Sequence, residues 1–200
     1  TVRDCTFVSG AVENSGELLL AGETARIEAE TVINHGLIRG DGRILAEVTN
    51  TGDGEIAAEA GRRLRIEGAI AGNFGLIDLS GGTLETTGVL DNQADGDILG
   101  RGVLTTGGLT NHGDVAFSNG ITDVHGDVSN APGGRIIISG GADVTFWDDV
   151  HHAGALFKVA ADSSATFFGT FAGAGTSGAG AVYAEADVTP GGSPGVMDFG

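Results

Sequence analysis

Ile33-Asn34-His35-Gly36-Leu37-Ile38-Arg39-Gly40-Asp41-Gly42-Arg43-Ile44-Leu45 holds the head and the alternating tail of one unit of a repeat. Its Asn-x-Gly head returns as Asn14-Ser15-Gly16, Asn50-Thr51-Gly52, Asn73-Phe74-Gly75 and Asn111-His112-Gly113. Looser copies centre on Asn92 and Asn130, and Val150-His151-His152-Ala153-Gly154 puts His where Asn is due. The steps from Asn14 to Asn130 are 20, 16, 23, 19, 19 and 19 residues. Self-similarity at such a period is the mark of a solenoid. The tail of each unit alternates apolar with polar or Gly residues, as in Leu76-Ile77-Asp78-Leu79. Alternation bounded by Gly, Asn and Asp reads as strand. The best helical stretch, Glu55-Ile56-Ala57-Ala58-Glu59-Ala60, is stopped at once by Gly61.

The expected fold is therefore all-β: a right-handed parallel β-helix of nine or ten rungs, each of about 20 residues with three short strands. One domain spans 1–200, with regular rungs over 1–160. A terminal part rich in Gly, Ala and Phe follows over 161–200. Gly fits the corners because it takes φ > 0 without steric cost, and Asn is the next most tolerant residue there. Asn14, Asn34, Asn50, Asn73, Asn92, Asn111 and Asn130 read as turn residues, with their amides bonding from rung to rung. The rival reading is a row of surface amides that binds carbohydrate.

Composition narrows the function. Gly is 37 of 200 residues but has no Gly-x-y period, which excludes collagen. At 40% hydrophobic the chain can form a core despite its net charge of −17. Its basic residues gather only at Arg62-Arg63-Leu64-Arg65, a solvated corner beside Glu59 and Glu67. No basic surface tracks a phosphate backbone, so nucleic acid is not an expected partner. No apolar run is long enough for a membrane span, so membrane insertion is not expected either. The single Cys5 excludes an internal disulfide framework. The start at Thr1 reads as that of a processed or trimmed product.

The strongest cluster of chemistry-bearing residues is Trp147-Asp148-Asp149-Val150-His151-His152. Paired carboxylates beside imidazoles suit acid–base work or metal ligation, and the indole offers a ring to a sugar. Asp148, Asp149, His151 and His152 are thus the weak metal candidates. The competing reading is a variant rung with a polar corner. Gly-His-Gly and Arg-x-Lys elements of polygalacturonase-like β-helices are missing, as are a Walker loop, a nucleophile elbow and Cys/His zinc spacing. Asp41-Gly42 and Asp95-Gly96-Asp97 lack the nonapeptide of calcium-binding repeats and read as turns. No catalytic residue, cofactor site or metal is assigned. A divalent cation such as calcium is compatible with the charge but is indicated by no motif.

Near the end, Val188-Thr189-Pro190-Gly191-Gly192-Ser193-Pro194-Gly195 follows a small-residue strand. This resembles a motif of bacterial exported β-helix proteins, those of autotransporter passengers and of relatives with sorting tails. The resemblance implies a protein secreted or held at the bacterial cell surface. The expected role is non-enzymatic: a structural or adhesive β-solenoid, either a subunit stacking head to tail into a filament or a segment of a longer surface fibre. Self-association is expected through exposed end rungs, since neither end reads as a helical cap. A cell-surface or polysaccharide ligand is compatible with this. The alternative is a carbohydrate-binding or polysaccharide-cleaving β-helix.

Overall fold

A computed structural model describes residues 1–190 of the chain. Among them there is no α-helix, and 22 strands join in one continuous parallel sheet wound into a β-solenoid. Glu55–Glu59, the best helical candidate, is a strand. Its Ile56 points inward, and Gly61 makes the corner that follows at φ 72°.

Each turn offers three faces. The first holds Glu55–Glu59, Arg135–Ser139 and Leu156–Val159. The second holds Thr6–Val8, Arg63–Ile66, Asp143–Phe146, Ser164–Phe167 and Ala181–Ala184. The third holds Ala11–Asn14, Ile70–Asn73, Leu90–Asn92, Leu109–Asn111, Val128–Asn130, Val150–His152, Phe171–Gly173 and Val188–Pro190. Longer strands such as Glu17–Asn34 and Leu37–Asn50 run round the corners without losing extension.

One position of the third face recurs in register as Asn14, Asn34, Asn50, Asn73, Asn92, Asn111, Asn130, His152, Gly173 and Pro190. Ten positions make nine turns, a rod roughly 43 Å long at the ordinary strand spacing. The irregular early steps have a local cause. Residues 21–26 oppose only 41–43 on the next turn, and 28–31 oppose 45–47, so four residues are absorbed at two corners. That difference is the whole gap between a 20-residue turn and a 16-residue one.

The core is a set of axial columns. Ile38, Ile56, Ile77, Ile98, Val115, Ile136 and Phe157 stack in register on the first face, all buried. On the second face Leu64, Leu84, Leu104, Val124, Phe146 and Phe167 do the same. Phe replaces aliphatic residues towards the C-terminal end, where Phe146 stacks on Phe167 at 5.2 Å and the other contacts among Phe146, Phe157, Phe167 and Phe171 are edge-on or tilted at 4.4–5.8 Å. The step from Asn130 to His152 is 22 residues there, against 19 for each of the three before it. The terminal part keeps the second and third faces through Pro190, and Lys158 bridges to Ser177 on the first. Of the Pro-Gly corner read in the sequence, residues 191–195 lie outside the described residues.

Candidate functional site

The repeating asparagines point inward. Asn34, Asn50, Asn73, Asn92, Asn111 and Asn130 are each 0% exposed, so the row of amides is not a surface for carbohydrate. The expected reason for Asn also needs correcting: none of these residues has φ > 0. They are the last strand residues of the third face, and buried amides need partners. Each Nδ2 donates along the axis to the next Oδ1, at 2.7–2.8 Å for all six Asn-to-Asn steps. It also donates to backbone carbonyls; Asn34 Nδ2, for example, reaches Gly36 O at 2.9 Å and Glu55 O at 3.0 Å. From Asn34 on, a glycine two or four residues after the Asn serves close approach rather than a left-handed turn. A Cβ on Gly54 would collide with Asn50 Oδ1 and Asn34 O.

His152 ends this column. Asn130 Nδ2 donates to its Nδ1 at 3.0 Å, and Gly154 N donates to the same atom at 3.3 Å. The ring nitrogen thus takes the place of an amide oxygen: Gly36 N donates to Asn34 Oδ1 in the same way, also at 3.3 Å. Two donors facing Nδ1 put the ring proton on Nε2. Burial, and then the neighbouring His151, holds the pKa of His152 below its ordinary value.

The four metal candidates of the sequence are placed apart. His151 and His152 are successive strand residues and so face opposite ways, His151 to solvent and His152 to the core. Asp148 Oδ2 accepts from Gly126 N at 2.7 Å, on the preceding turn. Asp149 Oδ1 accepts from Thr170 N at 2.7 Å, on the following turn. The two carboxylates tie the corner to its neighbours in opposite axial directions. Among the described residues no group of three or more His, Cys, Asp or Glu is placed to hold a metal ion.

Trp147 does not offer a face to a sugar. Its indole is stacked between His125, at 5.7 Å and 1° between planes, and Phe168, at 4.6 Å and 6°. Its Nε1 donates to Asp123 at 2.9 Å. The basic corner pairs with the expected Glu59 and Glu67 and also with Glu85, which was not among the expected partners: Arg62 is on Glu59, Arg65 between Glu67 and Glu85, and Arg63 on Glu85.

What His151 does reach is a groove of about 400 Å³ along the outer third face. Thr110, Ser129 and His151 occupy the same outward position on successive turns, flanked by Asp127, Asp149 and the exposed Val89. Ser129 and His151 are in register but make no hydrogen bond to each other. A cleft of this size with hydroxyls, imidazole and carboxylates along one wall can hold a small polar ligand. Thr110, Ser129 and Asp127 were not singled out in the sequence. The signal for Thr110 and Ser129 was the middle position of the Leu-Thr-Asn and Val-Ser-Asn triplets, outward by alternation like His151 in Val-His-His, whereas Asp127 carried no such signal. Comparison with protein-family models, curated proteins and solved structures gives no significant match.

Proposed function

We propose that this chain is a non-enzymatic extracellular structural or adhesive β-solenoid, a stiff rod whose length and repeating surface are its working parts. The observation that carries this reading is the unbroken axial chain of side-chain hydrogen bonds from Asn14 to His152. It runs parallel to the backbone ladders on three faces and to the apolar columns inside. Bending the rod would stretch the ladders on its outer side and compress those on its inner side, and polarisation along a hydrogen-bonded chain strengthens each link. The carboxylates of Asp127, Asp148 and Asp149 extend the same pattern at a corner, bonding to amides of adjacent turns.

Self-association by end stacking belongs to this proposal. In the first turn Phe7 stands in the inward column of Ile27 and Ile44 yet is 48% exposed, whereas those two are buried. Val2–Arg3, Thr6–Val8 and Ala11–Asn14 each pair on one side only among the described residues. A further β-rung laid against them, from a second copy or from more polypeptide, would cover Phe7 and pair that edge. The net charge of −17 opposes contact between copies, so assembly should strengthen with salt. Electron microscopy and sedimentation at low and high salt test this. Rods lengthening in steps of one chain support it, and a monomer at all concentrations and salts overturns the stacking part.

A second reading is favoured by the groove alone: a carbohydrate bound against Thr110, Ser129, His151 and Asp149. Titration with acidic and neutral polysaccharides, with and without calcium, checks it through amide shifts on those turns. Turnover of a polysaccharide that is lost in Asp149→Asn would sink the non-enzymatic reading.

A further inference from the structure

The chain has eight asparagines, and seven of them form the axial column, six of these fully buried. The eighth, Asn119, is different in every respect that bears on its chemistry. It is exposed, and it is the only asparagine followed directly by glycine. Its φ is 61° and that of Gly120 is 142°. Its Nδ2 has one bond, to Ser118 Oγ at 3.2 Å. A column amide such as that of Asn34 has three partners.

The backbone around it is equally released. Pairing with the preceding turn goes from Gly100↔Phe117 directly to Gly102↔Thr122. Pairing with the following turn ends at Ser118↔Ser139 and resumes at Ile121↔Asp143. Among the described residues Asn119 and Gly120 therefore have no strand partner on either side, and rotation about their bonds breaks no ladder. Arg101 alone holds the corner: its Nη1 donates to Asn119 O at 2.9 Å. Its side chain also lies over Gly120, where an added Cβ would meet Arg101 Cδ at 2.8 Å.

We propose that Asn119 is a site of spontaneous modification by cyclisation onto Gly120, with Arg101 as the residue that promotes it. The Gly120 backbone nitrogen, unhindered by a side chain, attacks Asn119 Cγ. The new N–Cγ bond closes a succinimide, the Cγ–Nδ2 bond breaks, and ammonia leaves with the amide proton. Water then opens the ring at either carbonyl. One opening gives aspartate, and the other gives isoaspartate with an extra methylene in the backbone. A guanidinium on Asn119 O draws electrons from that peptide and makes the Gly120 N–H easier to deprotonate. Either product places a new carboxylate beside the Arg101 guanidinium, changing a charge–dipole contact into an ion pair.

The test is prolonged incubation of the folded chain in mildly alkaline buffer, followed by peptide mass spectrometry and an isoaspartate assay. The expected result is amide-to-acid exchange at Asn119, isoaspartate in excess, and none at the seven column asparagines. Asn119→Gln should stay unmodified, and Arg101→Gln should slow the reaction several-fold. A parallel sample in denaturant separates sequence from structure. Modification at Asn119 only when unfolded would overturn the proposal, as would equal rates at Asn119 and the column residues. An unchanged rate in Arg101→Gln would remove the role of Arg101.

Discussion

His152 Nδ1 accepts from Asn130 Nδ2 at 3.0 Å and from Gly154 N at 3.3 Å, so one unprotonated nitrogen closes a column of buried amides. Protonation would turn that acceptor into a third donor against two. The other neighbours offer no relief: Phe157 packs edge-on at 5.8 Å, Gly173 follows on the next turn, and His151 faces outward with the same sign of charge.

The pH dependence follows with a definite sign. The folded pKa of His152 lies below the ordinary 6.5, so below that pH the unfolded chain binds the proton more readily. Stability from this site is complete above the unfolded value and falls as pH drops through it towards the folded value. His152→Asn keeps an acceptor and removes the titration. Thermal melts across mildly acidic pH should show a steeper loss for the parent chain than for this variant; parallel curves would disprove the assignment.

Cutting the column in the middle should cost more than cutting its head. Asn92→Ala removes the acceptor of Asn73 Nδ2 and the donor to Asn111 Oδ1, both buried. The expected loss is about 2–3 kcal/mol, the range for orphaned buried polar groups. Asn14 is partly exposed and touches one column neighbour, so Asn14→Ala should cost about 1 kcal/mol. Asn92→Asp should be worse than Ala, because a carboxylate would face Asn111 Oδ1 and Gly96 O without a proton to offer. Denaturant unfolding ranks the three variants.

At the surface, the Arg43 guanidinium bonds the Glu67 carboxylate and holds its pKa below the ordinary 4.5. Arg65 adds to this more weakly, from 3.4 Å. A depressed carboxylate contributes stability above its unfolded pKa and loses it as pH falls through the folded one. Arg43→Ala should raise the Glu67 titration towards its ordinary range, read by carboxyl-carbon NMR. The effect on overall stability should stay below about 1 kcal/mol and shrink with salt, as exposed pairs do.

The solenoid was legible because its unit is local: Asn-x-Gly and an alternating tail fix a period before any long-range contact is known. What stayed hidden depends on direction. The repeat made Asn34 and its counterparts read as turn residues, yet Asn34 is the last residue of a strand and sealed in a column, while Asn119, outside the repeat, has no strand pairing among the described residues. Asp148, Asp149, His151 and His152 looked like one cluster because they are consecutive. Strand alternation sends the two histidines to opposite sides, and backbone amides above and below take the two carboxylates. The groove of Thr110, Ser129 and His151 escaped for the converse reason. Its members are one turn apart, and only the register brings them together.

Two glycines that sit two residues apart separate close approach from turn flexibility. Gly52 has open space around it, with Phe74 O the nearest atom to an added Cβ at 3.8 Å. Gly54 lies against Asn50 Oδ1 and Asn34 O, where a methyl group cannot enter unless the column shifts. Neither has φ > 0, so backbone strain does not distinguish them. Gly52→Ala should change stability by no more than about 0.5 kcal/mol, as an uncrowded surface change does. Gly54→Ala should cost about 3 kcal/mol, the upper part of the range for forced overpacking. It should also speed amide hydrogen exchange on the turns carrying Asn34, Asn50 and Asn73 while sparing those near Asn130. Equal melting temperatures for the two variants would mean that the column tolerates a methyl group at its side, and the requirement for Gly after each Asn would need another cause.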